Sequence, residues 1–122
     1  AKLILDSWHW IRANQSYAPS VLADVPADKV VAVQINDVQA HPYAAPVLRD
    51  ESMHDRMMPG TGHGDTAGFV KMIREKGIEP AVMGVEVISD EILSAGVAEA
   101  AKANFNATRA VLEQAWPEVV EQ

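Results

Sequence analysis

The stretch Val30-Val31-Ala32-Val33-Gln34 is an apolar run that ends in a polar side chain, and Ile35-Asn36-Asp37 continues it. Two other runs are built in the same way: Leu3-Ile4-Leu5-Asp6, followed by Ser7-Trp8-His9, and Val82-Met83-Gly84-Val85-Glu86. A short, nearly continuous apolar run is typical of a parallel strand that is covered on both faces. Because a loop and then a helical pattern follow each run, the sequence predicts the β/α units of a barrel, whose active site lies at the C-terminal ends of the strands.

Three β/α units are too few for a complete TIM (β/α)8 barrel, which takes about 250 residues. The chain has 122 residues and begins Ala-Lys-Leu-Ile-Leu-Asp, inside the first predicted strand. We therefore expect a single α/β domain over residues 1–122 that forms part of a barrel. Such a chain is a fragment, a split-gene product or one part of a multi-chain assembly, and a complete small fold is the alternative.

Strands are predicted over residues 2–6, 29–36 and 81–88. A helix from Tyr17 to Asp24, with Ser16 as its N-cap, is expected after the first strand. Residues 38–64 are predicted to form a long loop, interpreted as a lid over the active site. Two further helices are predicted, one from residue 65 or 66 to about residue 76, and one from about residue 90 to Trp116 with a break near residues 104–106.

The composition excludes several classes of protein. A net charge of −7 and a pI near 4.9 argue against a nucleic-acid partner, which would require a basic surface. The absence of cysteine rules out disulfides and is compatible with the cytoplasm, where we expect the protein. No apolar run is long enough to cross a bilayer, so no membrane association is expected.

Asp6 and His9 stand at the end of the first strand and on the segment that leaves it. The Asp6 carboxylate offers a hard anionic oxygen of the kind that binds Mg²⁺ or Mn²⁺. His9 is placed to hydrogen-bond a substrate oxygen or to carry a proton, because imidazole exchanges protons near neutral pH. The alternative makes Asp6 a helix or turn cap and His9 a packing residue.

Glu86 is the only charged residue of its run. A buried carboxylate is costly unless it is paired, protonated or bound to a metal, and Gly84 leaves room on the same side of the strand. Gln34 is a weaker, neutral ligand, and its segment taken alone favours a polar layer that hydrogen-bonds neighbouring strands. Because Asp6, Gln34 and Glu86 recur at equivalent strand ends, together they predict a metal site.

Arg56 precedes the turn Pro59-Gly60-Thr61-Gly62. Arginine suits bidentate binding of a carboxylate, a phosphate or vicinal oxygens, and glycine lets the backbone approach a ligand closely. An ordinary surface turn is the alternative. The remaining aromatic and imidazole side chains are ambiguous: solvated histidines are expected at His41, His54 and His63, and either a sugar-pocket wall or core packing at Trp8 and Trp10.

Four of these segments, in the same order, resemble the xylose isomerase-like TIM barrels, the sugar phosphate isomerase/epimerase family. They are residues 5–9, 33–37, 56–62 and 84–89. The resemblance implies that the three strands are the sixth, seventh and eighth of a barrel. It also implies that Asp6 and Glu86 bind the metal and that His9 and Arg56 contact the substrate.

Gln34 departs from the histidine that many members carry at that strand end. It is similar to the glutamine of the hydroxypyruvate isomerase-like branch, where an amide takes the ligand role. The Pro-Gly-Thr-Gly stretch also resembles that branch. The long insertion between Asp37 and Arg56 does not, and it leaves the substrate open.

The resemblance implies a Mg²⁺- or Mn²⁺-dependent isomerase or epimerase that acts on a small sugar, sugar phosphate or keto-acid. Glu86 would be catalytic, sharing proton transfer through an enolate with a second glutamate upstream of Ala1. A dehydratase of the same family is the close alternative, because it needs the same enolate. A non-catalytic piece is the third interpretation. It would require an upstream half-barrel or further copies of itself, since open strand edges invite pairing.

Overall fold

The structure is a computed structural model that describes residues 1–14, 19–40 and 45–121, without the side chains of residues 45 and 46. One sheet of parallel strands is formed, in this order, by β1 (Leu3–Asp6), β2 (Val30–Ile35) and β3 (Val82–Val85). No helix in these ranges is long and apolar enough to cross a membrane. The helices are α1 (Ser7–Asn14), α2 (Pro19–Leu22), α3 (Ala45–His54), α4 (Thr66–Glu75), α5 (Asp90–Leu93), α6 (Val97–Ala115) and α7 (Pro117–Val120), and a 3₁₀ turn (Ala27–Lys29) precedes β2.

The sheet has a buried face and an open face, because successive side chains of a strand point to opposite sides. Val33 and Ile35 are fully buried against the helices. On the other face, Ile4 and Val82 lie in register on either side of Ala32 and are 62% and 60% exposed. The core under the buried face consists of Leu22, Val30, Val33, Ile35, Phe69, Val70, Met72, Ile73, Ile78, Val111, Leu112 and Ala115.

Apolar surface is also exposed on α6. Val97 and Phe105 are 75% and 61% exposed. Among the described residues, β1 and β3 each pair with β2 alone, so both outer edges of the sheet are open. The predicted α/β class with parallel strands is therefore confirmed, and the sheet has the open face and edges expected of part of a barrel.

The strands lie within the predicted ranges, although β3 is shorter than residues 81–88. Its ladder extends by one residue at each end, because the Ala81 N–H donates to the Val31 carbonyl at 2.9 Å and the Glu86 N–H donates to the Ile35 carbonyl at 3.2 Å. Glu86 is thereby tied to the last residue of β2.

The helix that follows β1 was not expected. α1 begins at Ser7, directly after the strand, whereas the sequence predicted a loop there and a helix over residues 17–24. The Asp6 carboxylate accepts a hydrogen bond from the His9 N–H at 3.0 Å and so satisfies the first turn. Of the predicted helix, α2 is present, while Ser16 and the start at Tyr17 lie outside the described residues.

The prediction of a single loop over residues 38–64 is wrong, because α3 occupies the middle of it. In this helix Glu51, 1% exposed, forms an ion pair with the buried Arg12 of α1, and among its described side chains Leu48 packs against the Trp8, Ile11 and Val38 cluster. Hydrophobic periodicity, on which helix prediction rests, gave no signal. His41 lies outside the described residues.

The break in the last long helix was placed wrongly. α6 runs unbroken through residues 104–106, where the buried Asn104 carbonyl accepts a hydrogen bond from the Thr108 hydroxyl at 2.7 Å. The chain breaks earlier, between α5 and α6, at Gly96, whose φ of 98° lies in the left-handed region. α6 ends before Pro117, which starts α7.

Phe69→Ala should lower the free energy of unfolding by about 3–5 kcal/mol, because it opens a cavity in the core. Phe69 is fully buried and its ring centroid lies 6.4 Å from that of Trp10. Urea unfolding followed by circular dichroism measures the loss. The matched control is Phe105→Ala at the exposed position on α6, which should change stability by about 0.5 kcal/mol or less. Equal losses at both positions would contradict this assignment of the core.

Candidate active site

The three predicted metal ligands lie at the C-terminal ends of the three strands. Asp6 is in register with Gln34, and Gln34 is in register with Gly84. Glu86 follows two residues after Gly84, so alternation places it on the same face. The structure thus brings these strand ends together on the open face of the sheet, as the sequence predicted.

Arg56 connects the first and last of these side chains. It is 4% exposed, and its Nη1 donates to Asp6 Oδ2 at 3.1 Å and to Glu86 Oε2 at 3.2 Å. The other nitrogens are held by Ser52 of α3, whose carbonyl and hydroxyl oxygens each accept at 3.0 Å. The guanidinium carbon lies 5.3 Å from the Trp8 ring centroid. Arg56 is therefore a buried cation shared by two carboxylates.

Asn36 belongs to this cluster but was not predicted as a site residue. It is fully buried, and its Nδ2 donates to Asp6 Oδ2 and to the Glu86 carbonyl, both at 3.1 Å. The Ser7 hydroxyl donates to its Oδ1 at 2.8 Å. Period-two alternation places Asn36 on the same side of β2 as Gln34, and this was the available signal.

Asp37 organises the loop that follows Arg56. It is 1% exposed, and its carboxylate accepts four backbone N–H groups at 2.8–3.0 Å, from Val38, Gly60, Gly62 and Gly64. A Cβ on Gly62 would lie 2.5 Å from the Val38 carbonyl oxygen, so the turn requires glycine there.

The backbone beside Arg56 is held from two sides. Asp37 and Met57 exchange backbone hydrogen bonds of 2.9 and 3.1 Å, and the Arg56 N–H donates to the Ile88 carbonyl at 3.0 Å. The extensions of β2 and β3 therefore fix the position from which the Arg56 side chain reaches the carboxylates.

His9 and Gln34 remain available for a ligand. His9 is exposed on the first turn of α1, edge-on to Trp8 at 5.0 Å between ring centroids. The half-buried Gln34 side chain makes no hydrogen bond within the described residues. His54 and His63 are exposed, as expected of solvated histidines, although His54 ends α3 and pairs with Asp90 at 3.1 Å.

The donor set fits part of a site for a hard divalent cation. Two carboxylates and an amide oxygen are suitable ligands, and Glu86, whose side chain is 40% exposed, is accessible. Asp6 is more constrained, because both of its oxygens accept hydrogen bonds from His9, Asn36 or Arg56. Within the described residues there is no group of three histidine, cysteine or acidic side chains that could hold a metal ion. Any metal held here would therefore need further ligands.

Two curated relatives match the sequence. They are proteins named 3-dehydroshikimate dehydratase from Pseudomonas putida and Pseudomonas aeruginosa, each 34% identical over 88 residues. The match includes 72% of this chain but only 13% of each relative, so the chain spans about an eighth of their length. No protein-family model matches the chain.

Solved structures match almost the whole chain. The IOLI protein, in a crystal structure with a binding zinc atom, superposes with a TM-score of 0.78 at 23% identity, over 94% of this chain and 38% of that one. A xylose isomerase-like TIM barrel/4-hydroxyphenylpyruvate dioxygenase fusion protein gives 0.71 at 25%, over 98% and 18%. A xylose isomerase domain protein from Alicyclobacillus acidocaldarius gives 0.65 at 27%, over 93% and 38%. The predicted resemblance and the partial-barrel fold are confirmed.

Asp37→Ala should lower the free energy of unfolding by about 3 kcal/mol, because it leaves four backbone N–H groups, two of them buried, without their charged acceptor. Hydrogen exchange at Gly60, Gly62 and Gly64 should accelerate together. The control is Asp65→Ala, which removes the N-cap of α4, a single bond to the Gly68 N–H, and should cost about 1 kcal/mol. Unchanged exchange at the three glycines in Asp37→Ala would show that this carboxylate does not organise the loop.

Proposed function

We propose that this chain, which has the fold of part of a xylose isomerase-like TIM barrel, supplies one side of the active site of a divalent-metal-dependent enzyme. The enzyme would transfer a proton at a carbon next to a carbonyl group. The observation that carries the proposal is the convergence of Asp6, Gln34 and Glu86 at neighbouring strand ends, with Arg56 between the carboxylates.

Asp6, Glu86 and Gln34 are the residues that would hold the cation. An all-oxygen donor set favours Mg²⁺ or Mn²⁺. The IOLI protein, which shares the fold and has a binding zinc atom, supports a dependence on metal. When bound, the metal would polarise the carbonyl and hydroxyl oxygens of the substrate.

Glu86 is the proposed acid–base residue. Its side chain is 40% exposed and faces the open side of the sheet, and Arg56 contacts only its Oε2, so Oε1 is open to a substrate proton. Arg56 fixes the Glu86 carboxylate and contributes positive charge near the substrate oxygens. His9, exposed on the rim, would hydrogen-bond a substrate hydroxyl.

Dehydration is the overall reaction that we favour, because the two curated relatives are named 3-dehydroshikimate dehydratase. In such a step the C–H bond next to the carbonyl breaks and the proton passes to a carboxylate. A C=C bond then forms as the C–O bond of the β-hydroxyl breaks, and the hydroxyl leaves with a proton as water. Starting from 3-dehydroshikimate, this gives a cyclic dienone, and loss of a ring C–H proton with protonation of the ketone oxygen then produces an aromatic dihydroxybenzoate.

Isomerisation or epimerisation is the second candidate, favoured by the xylose isomerase domain protein at 27% identity. It uses the same proton removal but returns the proton to carbon, so no water is lost. A small sugar, sugar phosphate or keto-acid would then be the substrate.

The remaining strands must come from outside the described sheet. The exposed Ile4 and Val82 on the open face and the two unpaired edges are the surfaces that they would cover. We propose that residues 1–122 form one partial barrel domain, completed by an upstream half-barrel or by another copy of the chain. The second glutamate of the acid–base pair would lie in that completing part, and without it the chain would be inactive.

Manganese titration tests the metal site directly. Asp6→Asn and Glu86→Gln should each weaken Mn²⁺ binding by about tenfold or more, because each removes an anionic oxygen ligand. Electron paramagnetic resonance of free Mn²⁺ measures the affinity in the chain joined to the strands that complete the barrel, because a metal held here needs further ligands. The control is Glu79→Gln, at the opposite end of β3, which should leave binding unchanged. Equal affinities in all four proteins would exclude these residues as ligands.

The reaction is tested on the chain joined to the strands that complete the barrel. Incubation with 3-dehydroshikimate and Mg²⁺ in D₂O should produce dihydroxybenzoate, with Glu86→Gln lowering kcat by about a hundredfold or more. Deuterium in recovered substrate without aromatic product would favour isomerisation over dehydration. If a protein that binds Mn²⁺ forms neither dihydroxybenzoate nor deuterated substrate, proton transfer is rejected as the function.

A further inference from the structure

A cleft of about 520 Å³ lies between α1 and α3, next to the proposed active site. This volume is in the range of small-molecule binding sites. The cleft adjoins the site because Trp8 lies against the Arg56 guanidinium and Ser52 holds that guanidinium in place. Its walls include Trp8 and His9 from α1, and Leu48, Arg49, Ser52 and Met53 from α3.

The cleft is cationic in an acidic protein of net charge −7. Arg49 is exposed, and its guanidinium makes no hydrogen bond or ion pair with the described residues. His9 contributes an exposed imidazole on the facing wall. None of the described residues that line the cleft is acidic, so its field favours an anion.

The two walls are held at a fixed separation by a buried ion pair. Arg12 of α1 donates to both carboxylate oxygens of Glu51 of α3, at 2.8 and 2.7 Å, and to the Gln39 carbonyl at 2.7 Å. The Gln39 N–H also donates to Glu51 at 2.6 Å. Because this pair neutralises Arg12, the open positive charge of the cleft is that of Arg49. The cleft is preformed, which lowers the entropy cost of binding.

Trp8 gives the cleft an apolar wall with a donor that lacks an acceptor. The side chain is 5% exposed, and its Nε1–H is buried without a hydrogen bond in the described part of the chain. Because the ring is almost closed to solvent and lies against Arg56, Trp8 contributes a narrow apolar contact to the cleft.

We infer that this cleft binds the carboxylate end of a cyclic hydroxy-acid substrate. Arg49 pairs with the carboxylate, His9 donates to a ring hydroxyl, and the reacting end points to the Arg56 side of the cleft, where Trp8 and Ser52 contact that guanidinium. The inference rests on the proposed function for the identity of the reacting end. The inference assigns substrate specificity to α3. This helix lies in the insertion between Asp37 and Arg56, which does not resemble the family.

The test uses the whole chain, without metal and in EDTA, titrated with 3,4-dihydroxybenzoate and with catechol. These probes share a ring and its hydroxyls and differ by the carboxylate. Two-dimensional NMR should show the acid binding about tenfold more tightly, as expected for one charge-assisted pair. The Trp8 indole N–H signal, assigned with Trp8→Phe, should shift when the acid binds, because Trp8 lines the cleft.

Arg49→Gln should remove most of that preference and leave catechol binding unchanged. The control, Arg109→Gln, neutralises an exposed arginine of α6 that pairs with Glu113, and it should retain the wild-type preference. Equal binding of the two probes, no binding of the acid, or an Arg49→Gln variant that behaves like wild type would each overturn the inference. Because this titration needs neither metal nor Asp6 and Glu86, its failure is distinct from failure of the manganese titration.

Discussion

The contact of Arg56 with both Asp6 and Glu86 is the constraint on which the rest of the site depends. Burying a guanidinium and a carboxylate is costly unless each has a partner and satisfied hydrogen bonds. Asp6 and Ser52 meet that requirement at nearly ideal distances. The Arg56 side chain thereby links β1 and β3, the two outer strands of the sheet. Its two partners, Asp6 and Glu86, are 80 residues apart in sequence.

The position of Arg56 is determined by two buried carboxylates that take no part in the proposed chemistry. Asp37 collects four backbone N–H groups and so closes the glycine-rich loop after Arg56. Glu51 binds Arg12 and so fixes α3, from which Ser52 holds the guanidinium. Both are satisfied by several hydrogen bonds, which is the condition under which a buried charge is tolerated.

The open face of the sheet gives the site its accessibility. The Glu86 side chain is 40% exposed at the end of β3, and the same open face leaves Ile4 and Val82 in solvent. In a closed barrel that face is a packed interior. The features that make the chain look incomplete as a fold are therefore the ones through which its strand ends would meet a metal and substrate.

The sequence by itself determined the strands, their parallel order and the polar residues at their ends. A buried strand is visible in the sequence as a short apolar run, and the alternation of side chains assigns each residue to one face. Asp6, Gln34 and Glu86 were predicted as site residues for that reason, and the structure places them at those ends. Only the tertiary structure decided α3, the role of Asn36 and the reach of Arg56, because each depends on hydrogen bonds or ion pairs between distant segments. Such contacts leave no periodic pattern, so local reasoning misplaced the loop of residues 38–64 and the start of α1.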